Sequence, residues 1–329
     1  MKASLEPGHS FFYAPKTLPI NHKHDPAAAI VAVNAYVEYK LNAAQEDAVR
    51  KSFSQRVSLL WGPPGTGKTW TLAALIAAWT EAATSANKPI SILVGASNYN
   101  AIDNVLLQLA ELLGGRPKSA SPVAIARIRS DSSEPLGAQG IDDLTRKDAK
   151  DECTGWIHPS QCVIVGGTYL QLLKLSKDIN ADKSVGAQFF DLLVLDEASQ
   201  VSTASAMAYA CLAKPESHFI VCGDHRQLGP VQQVKLDDSR EGLLESVFAY
   251  LKTHHGIDPV SLSENYRSNE AITGWPSERF YPEGFVAVNK KRRLKIGAAP
   301  ANMPPNWPEA MAWSAALEAL LDPDEPVCV

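Results

Sequence analysis

The octapeptide GPPGTGKT at residues 62–69 constrains the chain more than any other feature, because it follows the apolar run VSLLW (57–61) directly and opens the helix-compatible stretch TWTLAALIAAWTEAATSA (69–86). It fits the pattern G-x-x-x-x-G-K-[ST] in the strand–loop–helix setting that a phosphate-cradling loop requires. Gly62, Gly65 and Gly67, with Pro63, Pro64 and Thr66 between them, let the backbone wrap phosphate oxygens against a helix N-terminus. Lys68 supplies a positive charge for the β- and γ-phosphates, and the Thr69 hydroxyl is placed for Mg²⁺. The plain alternative is a glycine-rich turn with an exposed lysine.

A strand before such a loop implies others beside it. Short apolar runs recur at 90–96 (ISILVGA), 123–127 (VAIAR), 162–167 (CVIVGG), 192–197 (LLVLDE) and 219–224 (FIVCGD), each reading as a buried parallel strand. Helix-compatible segments separate them, among them NAIDNVLLQLAELLGG (100–115), which closes on a glycine pair. Alternation of this kind predicts a three-layer α/β fold around a parallel sheet. Residues 1–40 read as an N-terminal extension and 41–258 as the main domain, with a polar rim insertion at 130–160. Residues 259–329 read as the start of a second domain. With 45% hydrophobic and 20% charged residues, the chain can bury full-sized cores.

Composition also narrows function. A balance of 31 Lys+Arg against 36 Asp+Glu, net −5, excludes a binder that works mainly by bulk positive charge. Five cysteines without a CxxC pair predict a reducing compartment and no structural zinc. Without an N-terminal apolar core or a run of about 18 apolar residues, the chain reads as soluble and cytoplasmic, with no membrane partner. HKHD (22–25) reads as a solvated patch in a polar tail, and KKRRLK (290–295) as a solvated loop.

Two further strand ends carry acidic or polar side chains. LLVLDEASQ ends on Asp196 and Glu197, at the sheet edge where the phosphate loop also lies. Asp196 is expected to hold Mg²⁺, and Glu197 to accept a proton from an attacking water or orient it. A charged turn with Asp196 as helix N-cap is the alternative. FIVCGDHRQLGPV brings Asp224, Arg226 and Gln227 to the same edge, and the neutral amide of Gln227 suits a reporter of nucleotide state.

Taken with LNAAQEDAV (41–49), GASNYNAIDNVL (95–106), GGTYLQL (166–172) and LSENYRSNEAI (262–272), these motifs resemble the superfamily 1 helicases, most closely the nonsense-mediated-decay type. The resemblance covers residues 41 to about 285. It implies two RecA-like P-loop NTPase domains, the second incomplete in this sequence, with ATP and Mg²⁺ as ligands and 5′ to 3′ movement on single-stranded DNA or RNA. It further implies that Gln45 reads the adenine, that Tyr266 stacks on it, and that Arg267 is an arginine finger completing the centre formed by Lys68, Thr69, Asp196, Glu197 and Gln227. Ser97, Asn98 and Thr168 would touch the strand's sugar-phosphate backbone, although Asn98 also suits a helix cap. Only 44 residues precede Gln45, where the family commonly carries a small β-barrel. WSAALEALLDPDEPVCV reads as the opening of an unfinished second sheet. A downstream segment or a partner chain is therefore expected to complete the second domain, with weak turnover by this chain alone. A nucleotide-gated switch or assembly module completed by a partner is the competing reading.

Overall fold

The computed structural model describes residues 7–22, 24–117, 120–152, 161–179, 188–231, 241–281 and 284–291. By its internal contacts the chain divides into two units. Met1–Gly62 with Lys68–Leu262 form the first, and Pro63–Gly67 with Ser263–Val329 form the second.

In the first unit the apolar runs become strands of one sheet: β1 (Val57–Trp61), β2 (Ser91–Gly95), β3 (Val123–Arg129), β4 (Asp142–Thr145), β5 (Cys162–Gly167), β6 (Phe190–Leu195), β7 (Ala213–Gly223) and β8 (Val260–Ser261). The spatial order is β4-β3-β5-β2-β6-β7-β1-β8, and every pairing is parallel. Alternate side chains therefore serve opposite faces. Leu60, Ile92, Val94, Ile164, Leu192, Val194 and Ile220 join the core beneath α2 (Pro26–Asn34), α3 (Ala43–Ser54), α4 (Lys68–Ser85) and α5 (Tyr99–Gly114). The buried α1 (Ser10–Tyr13) residues Phe11 and Phe12 pack on Phe219, Phe11 stacking at 5.3 Å between ring centroids. The α4 helix is apolar nearly all round and is buried accordingly, from Thr71 to Thr80 without a break.

Sequence signals at helix ends are honoured. Asp25 caps α2 ahead of Pro26, and Asn42 with Gln45 forms a reciprocal capping box on α3. The polar stretch after Ser130 does more than decorate the rim, since it contributes β4 and α6 (Arg146–Glu152). Asp143 on β4 binds Arg127 at 3.2 Å and Arg129 at 3.3 Å, while Arg127 also binds Asp103 of α5 at 2.5 Å. Besides its backbone ladder with β3, this edge strand is tied to the sheet by charge pairs rather than by a run of buried apolar side chains. Residues 153–160 of the expected insertion lie outside the described residues.

HKHD is a correction. His22 and His24 are half-buried, not solvated, and the His22 ring lies 4.9 Å from His218 and 5.3 Å from Trp79. Burial pushes the His218 imidazole down to about 3 and that of His22 to about 4, so both are neutral at pH 7. Nearby, Arg56 is buried, and among the described residues no carboxylate is hydrogen-bonded to it. Its guanidinium donates to the carbonyls of Ser217, Pro19 (3.1 Å) and Pro215 (2.8 Å). It staples the N-terminal segment to the start of β7, and Arg56→Ala should strand three carbonyls. The expected cost is about 2–4 kcal/mol in urea denaturation; a loss below about 0.5 kcal/mol would contradict the staple.

In the second unit, β9 (Glu264–Asn265) and β10 (Val286–Ala287) pair in parallel and are joined through α10 (Glu270–Phe280). This strand–helix–strand crossover is the repeating element of a parallel α/β sheet. Asn269 caps α10 by accepting from the Ile272 N–H at 3.1 Å. Ile272, Trp275 and Phe280 of α10 are exposed. Most of KKRRLK, from residue 292, and all of WSAALEALLDPDEPVCV lie outside the described residues. Among the described residues no helix is long and apolar enough to cross a membrane.

Candidate active site at the sheet edge

Because the strands are parallel, their C-terminal ends share one edge. Reading along it in sheet order gives Thr168 after β5, Ser97 and Asn98 after β2, Asp196 and Glu197 after β6, Asp224 and Gln227 after β7, and Gly62 after β1. Neighbouring strands lie about 4.8 Å apart. The acidic pair is therefore one strand from Ser97 on one side and one strand from Asp224 on the other.

Lys68 is the first residue of α4 and is buried, its Nζ donating to the Gly62 carbonyl at 2.8 Å. The ammonium is thus folded back onto its own loop, with Thr69 half-buried beside it. Asp196 is almost wholly buried; its N–H donates to Gly95 O at 2.9 Å and its Oδ1 accepts from the Glu197 N–H at 2.8 Å. Burial first, and then the Glu197 charge, raise its carboxyl to about 6, against opposing pulls from the Glu197 N–H, Lys68 and the Cys222 thiol. Cys222 is fully buried, and burial holds its thiol well above the usual range.

Glu197 has φ of 47°, a left-handed conformation that a non-glycine residue adopts at a cost of roughly 1 kcal/mol or more. Its Oε2 is buried without a hydrogen-bond partner, as is the Ser199 hydroxyl. Glu197 thus combines a left-handed backbone with a carboxylate oxygen that no described residue satisfies. Gly223 makes the turn feasible, since a Cβ there would lie 2.9 Å from the Ser199 nitrogen.

The Asp196 carboxyl also makes stability depend on pH. Its folded value of about 6 lies above the unfolded 3.8, so the folded chain binds more protons between those limits. The group's contribution to stability is present below about pH 4 and is lost as pH rises through about 6. Asp196→Asn should therefore raise the ligand-free unfolding free energy at pH 7 by on the order of 1–3 kcal/mol, and the denaturation midpoint with it. An unchanged or lowered midpoint would contradict that strain.

Asp224 is fully buried and accepts from Trp61 Nε1 (3.1 Å), the Arg226 N–H (3.1 Å) and Gln227 Nε2 (3.2 Å). It holds the Gln227 amide, a role that its neighbourhood in the sequence did not reveal. Ser97 and Asn98 are exposed: Asn98 Oδ1 caps α5 through the Ala101 N–H at 3.0 Å, and Ser97 Oγ lies 3.4 Å from Gln200 Oε1. Tyr209, which sequence reasoning missed, is buried with its hydroxyl 2.9 Å from Ala96 O and 3.1 Å from Gly167 O. It ties together the chain just before Ser97 and just before Thr168. Thr168 is half-buried, and its carbonyl accepts from Gln171 and Leu172 at the start of α7 (Tyr169–Ile179). Gln45 is buried at the N-terminus of α3, its amide oxygen accepting from the Asn42 N–H at 2.9 Å.

In the second unit, Gly65 and Gly67 both have φ of 81°, and Thr66 Oγ1 donates to Pro63 O at 2.8 Å. Tyr266 and Arg267 are exposed, the tyrosine hydroxyl donating to Glu264 Oε2 at 2.6 Å.

Residues 40–274 match the AAA domain family. The chain is 27% identical over 299 residues to the DNA replication ATP-dependent helicase/nuclease DNA2 of Gallus gallus, covering 88% of this chain and 27% of that protein. It is 29% identical over 266 residues to the regulator of nonsense transcripts 1 homolog of Arabidopsis thaliana, covering 74% of this chain and 20% of that one. Among solved structures, the arterivirus nonstructural protein 10 helicase with DNA aligns at a TM-score of 0.38 and 14% identity, over 76% of this chain and 45% of that one. The chain spans about a quarter or less of the length of these two curated relatives.

Proposed function

The chain belongs to the AAA domain family, and from that membership and the residues at the sheet edge we propose that it is the ATP-binding part of a superfamily 1 helicase, coupling ATP hydrolysis to movement on single-stranded DNA or RNA. The observation that carries the reading is the unpartnered, buried Oε2 of strained Glu197, one residue from a carboxyl already raised to about 6. An acidic pair of this kind beside a loop lysine fits a cation and a nucleophilic water.

In this proposal the backbone of Gly62 to Gly67 and the ammonium of Lys68 take the phosphates, with Lys68 Nζ leaving Gly62 O for them. Thr69 and Asp196 would hold Mg²⁺, which when bound neutralises charge on the phosphate oxygens. Glu197 accepts the proton of the attacking water, and Asp224 keeps Gln227 oriented to answer to the γ-phosphate. Gln45 and Tyr266 recognise the base and Arg267 answers to the γ-phosphate, roles supported by their motifs. Ser97, Asn98 and Thr168 contact the strand through hydroxyls, amides and backbone N–H groups, which suits a chain of net charge −5. A nucleic-acid contact one strand from the hydrolytic pair gives a short route for coupling the two.

Phosphate release measured with and without oligo-deoxythymidine and oligo-uridine tests this. From the weak basal turnover expected of this chain alone, the expected result is faster release with at least one of them. Unchanged release with both, in a chain that binds ATP, would contradict the coupling.

A further inference from the structure

Asn265 carries no role in the reading above, yet it is 1% exposed in a segment whose next two residues are exposed. The two ends of its amide do different work. Oδ1 accepts from the Arg267 N–H at 2.9 Å and the Ser268 N–H at 2.6 Å, closing the turn that carries Tyr266 and Arg267. Nδ2 donates to the carbonyl of Pro64, within the phosphate loop, at 2.7 Å. Beside it the Tyr266 N–H donates to Gly65 O at 2.9 Å.

The fit between turn and loop is tight. A Cβ on Gly65 would lie 2.7 Å from Asn265 Nδ2 and 2.8 Å from Arg267 Cβ. Both bonds to the loop use its carbonyls rather than the N–H groups with which such loops bind anions, so the tie and a phosphate do not compete. The other side of Asn265 is anchored as well, because β9 pairs with β10. A buried side chain amide is costly unless its groups are bonded, and here each bond joins two parts of one device.

We propose that Asn265 is a positioning residue that couples the phosphate loop to the Arg267 turn, so that the loop's conformation and the backbone of Arg267 change together. This rests on the nucleotide-binding reading above. A loop filled by a triphosphate and one filled by a diphosphate then set the turn differently, and reciprocally the turn biases which of the two is preferred.

The test is Asn265→Asp in the full chain. Aspartate retains an acceptor for the Arg267 and Ser268 N–H groups but offers the Pro64 carbonyl no donor, so it breaks the loop tie and also adds a negative charge beside the loop, which the nucleotide-free exchange arm below separates from the tie. The preference for a non-hydrolysable ATP analogue over ADP, from fluorescence titration, should fall about fivefold or more. Arg267→Ala should lower it similarly, and the double variant should fall no further than the larger single effect. A preference within about twofold of wild type in Asn265→Asp, or effects that multiply in the double variant, would overturn the coupling. Amide exchange supplies an arm that needs no nucleotide: the Tyr266 amide should exchange about tenfold faster in Asn265→Asp, and unchanged exchange would overturn the tie. A wild-type chain that binds neither nucleotide counts against the nucleotide-binding reading, and the exchange result then decides the tie by itself.

Discussion

Replacing Lys68 with alanine is expected to weaken ATP binding by about 10²–10³-fold, the equivalent of roughly 3–4 kcal/mol in charge-assisted contacts. The ammonium sits at the N-terminus of α4, is buried, and has a carbonyl of its own loop as an acceptor 2.8 Å away. That acceptor is neutral, so an anionic phosphate oxygen competes with it readily. Removing the lysine also takes away one of the pulls that lower Asp196, leaving a still more reluctant carboxylate beside the phosphates. Thermal stability should change little, since the loss of the bond to Gly62 O and of the attraction to Asp196 is offset by removal of a buried charge. Titration with a fluorescent ATP analogue checks the affinity, and a value within about threefold of wild type would contradict the phosphate role of Lys68.

Glu197→Gln should separate binding from chemistry. Glutamine keeps the shape but cannot take a proton, so hydrolysis should fall by about 10²–10⁴-fold while ATP affinity is retained or improved. Affinity can improve because Glu197 is the second-largest cause raising the Asp196 carboxyl, and its neutral replacement favours the ionised form. The φ of 47° at this position is a property of the turn and should persist in the variant. Single-turnover phosphate release with bound ATP is the measurement. A rate within tenfold of wild type would transfer the proton-accepting role away from Glu197.

The parts of this molecule legible in its sequence are those written in contiguous residues. Six apolar runs announced β1, β2, β3, β5, β6 and the second half of β7, because a strand buried on both faces needs no polar alternation. GPPGTGKT and LDEASQ announced their positions because loop and strand end are local features. The β4 strand, DDLT, escaped for the opposite reason: its pairing depends on Arg127 and Asp103, 16 and 40 residues away from Asp143. The polar first half of β7 and the two-residue β8 have too little apolar content to stand out.

Supporting contacts were hidden by the same distance. Asp224 was placed at the sheet edge, but its bond to Trp61, 163 positions earlier, was not legible, and Tyr209 acquires a role only once β2 and β5 end beneath its hydroxyl. Asn265 reads as an ordinary turn residue until Pro64, 201 positions earlier, accepts its amide. His22 and His24 looked solvated because their partners, Trp79 and His218, lie on α4 and β7.

In the proposed function the nucleotide and a nucleic acid strand are read on one sheet edge and are energetically linked. Equilibrium titration of the chain with a non-hydrolysable ATP analogue, in the absence and presence of saturating single-stranded DNA or RNA, tests it most directly. Linkage predicts that at least one strand type shifts the nucleotide affinity by about fivefold or more, with the nucleotide shifting strand affinity by the same factor. Nucleotide affinities that are identical with and without either strand, in a chain that demonstrably binds both ligands, would contradict it.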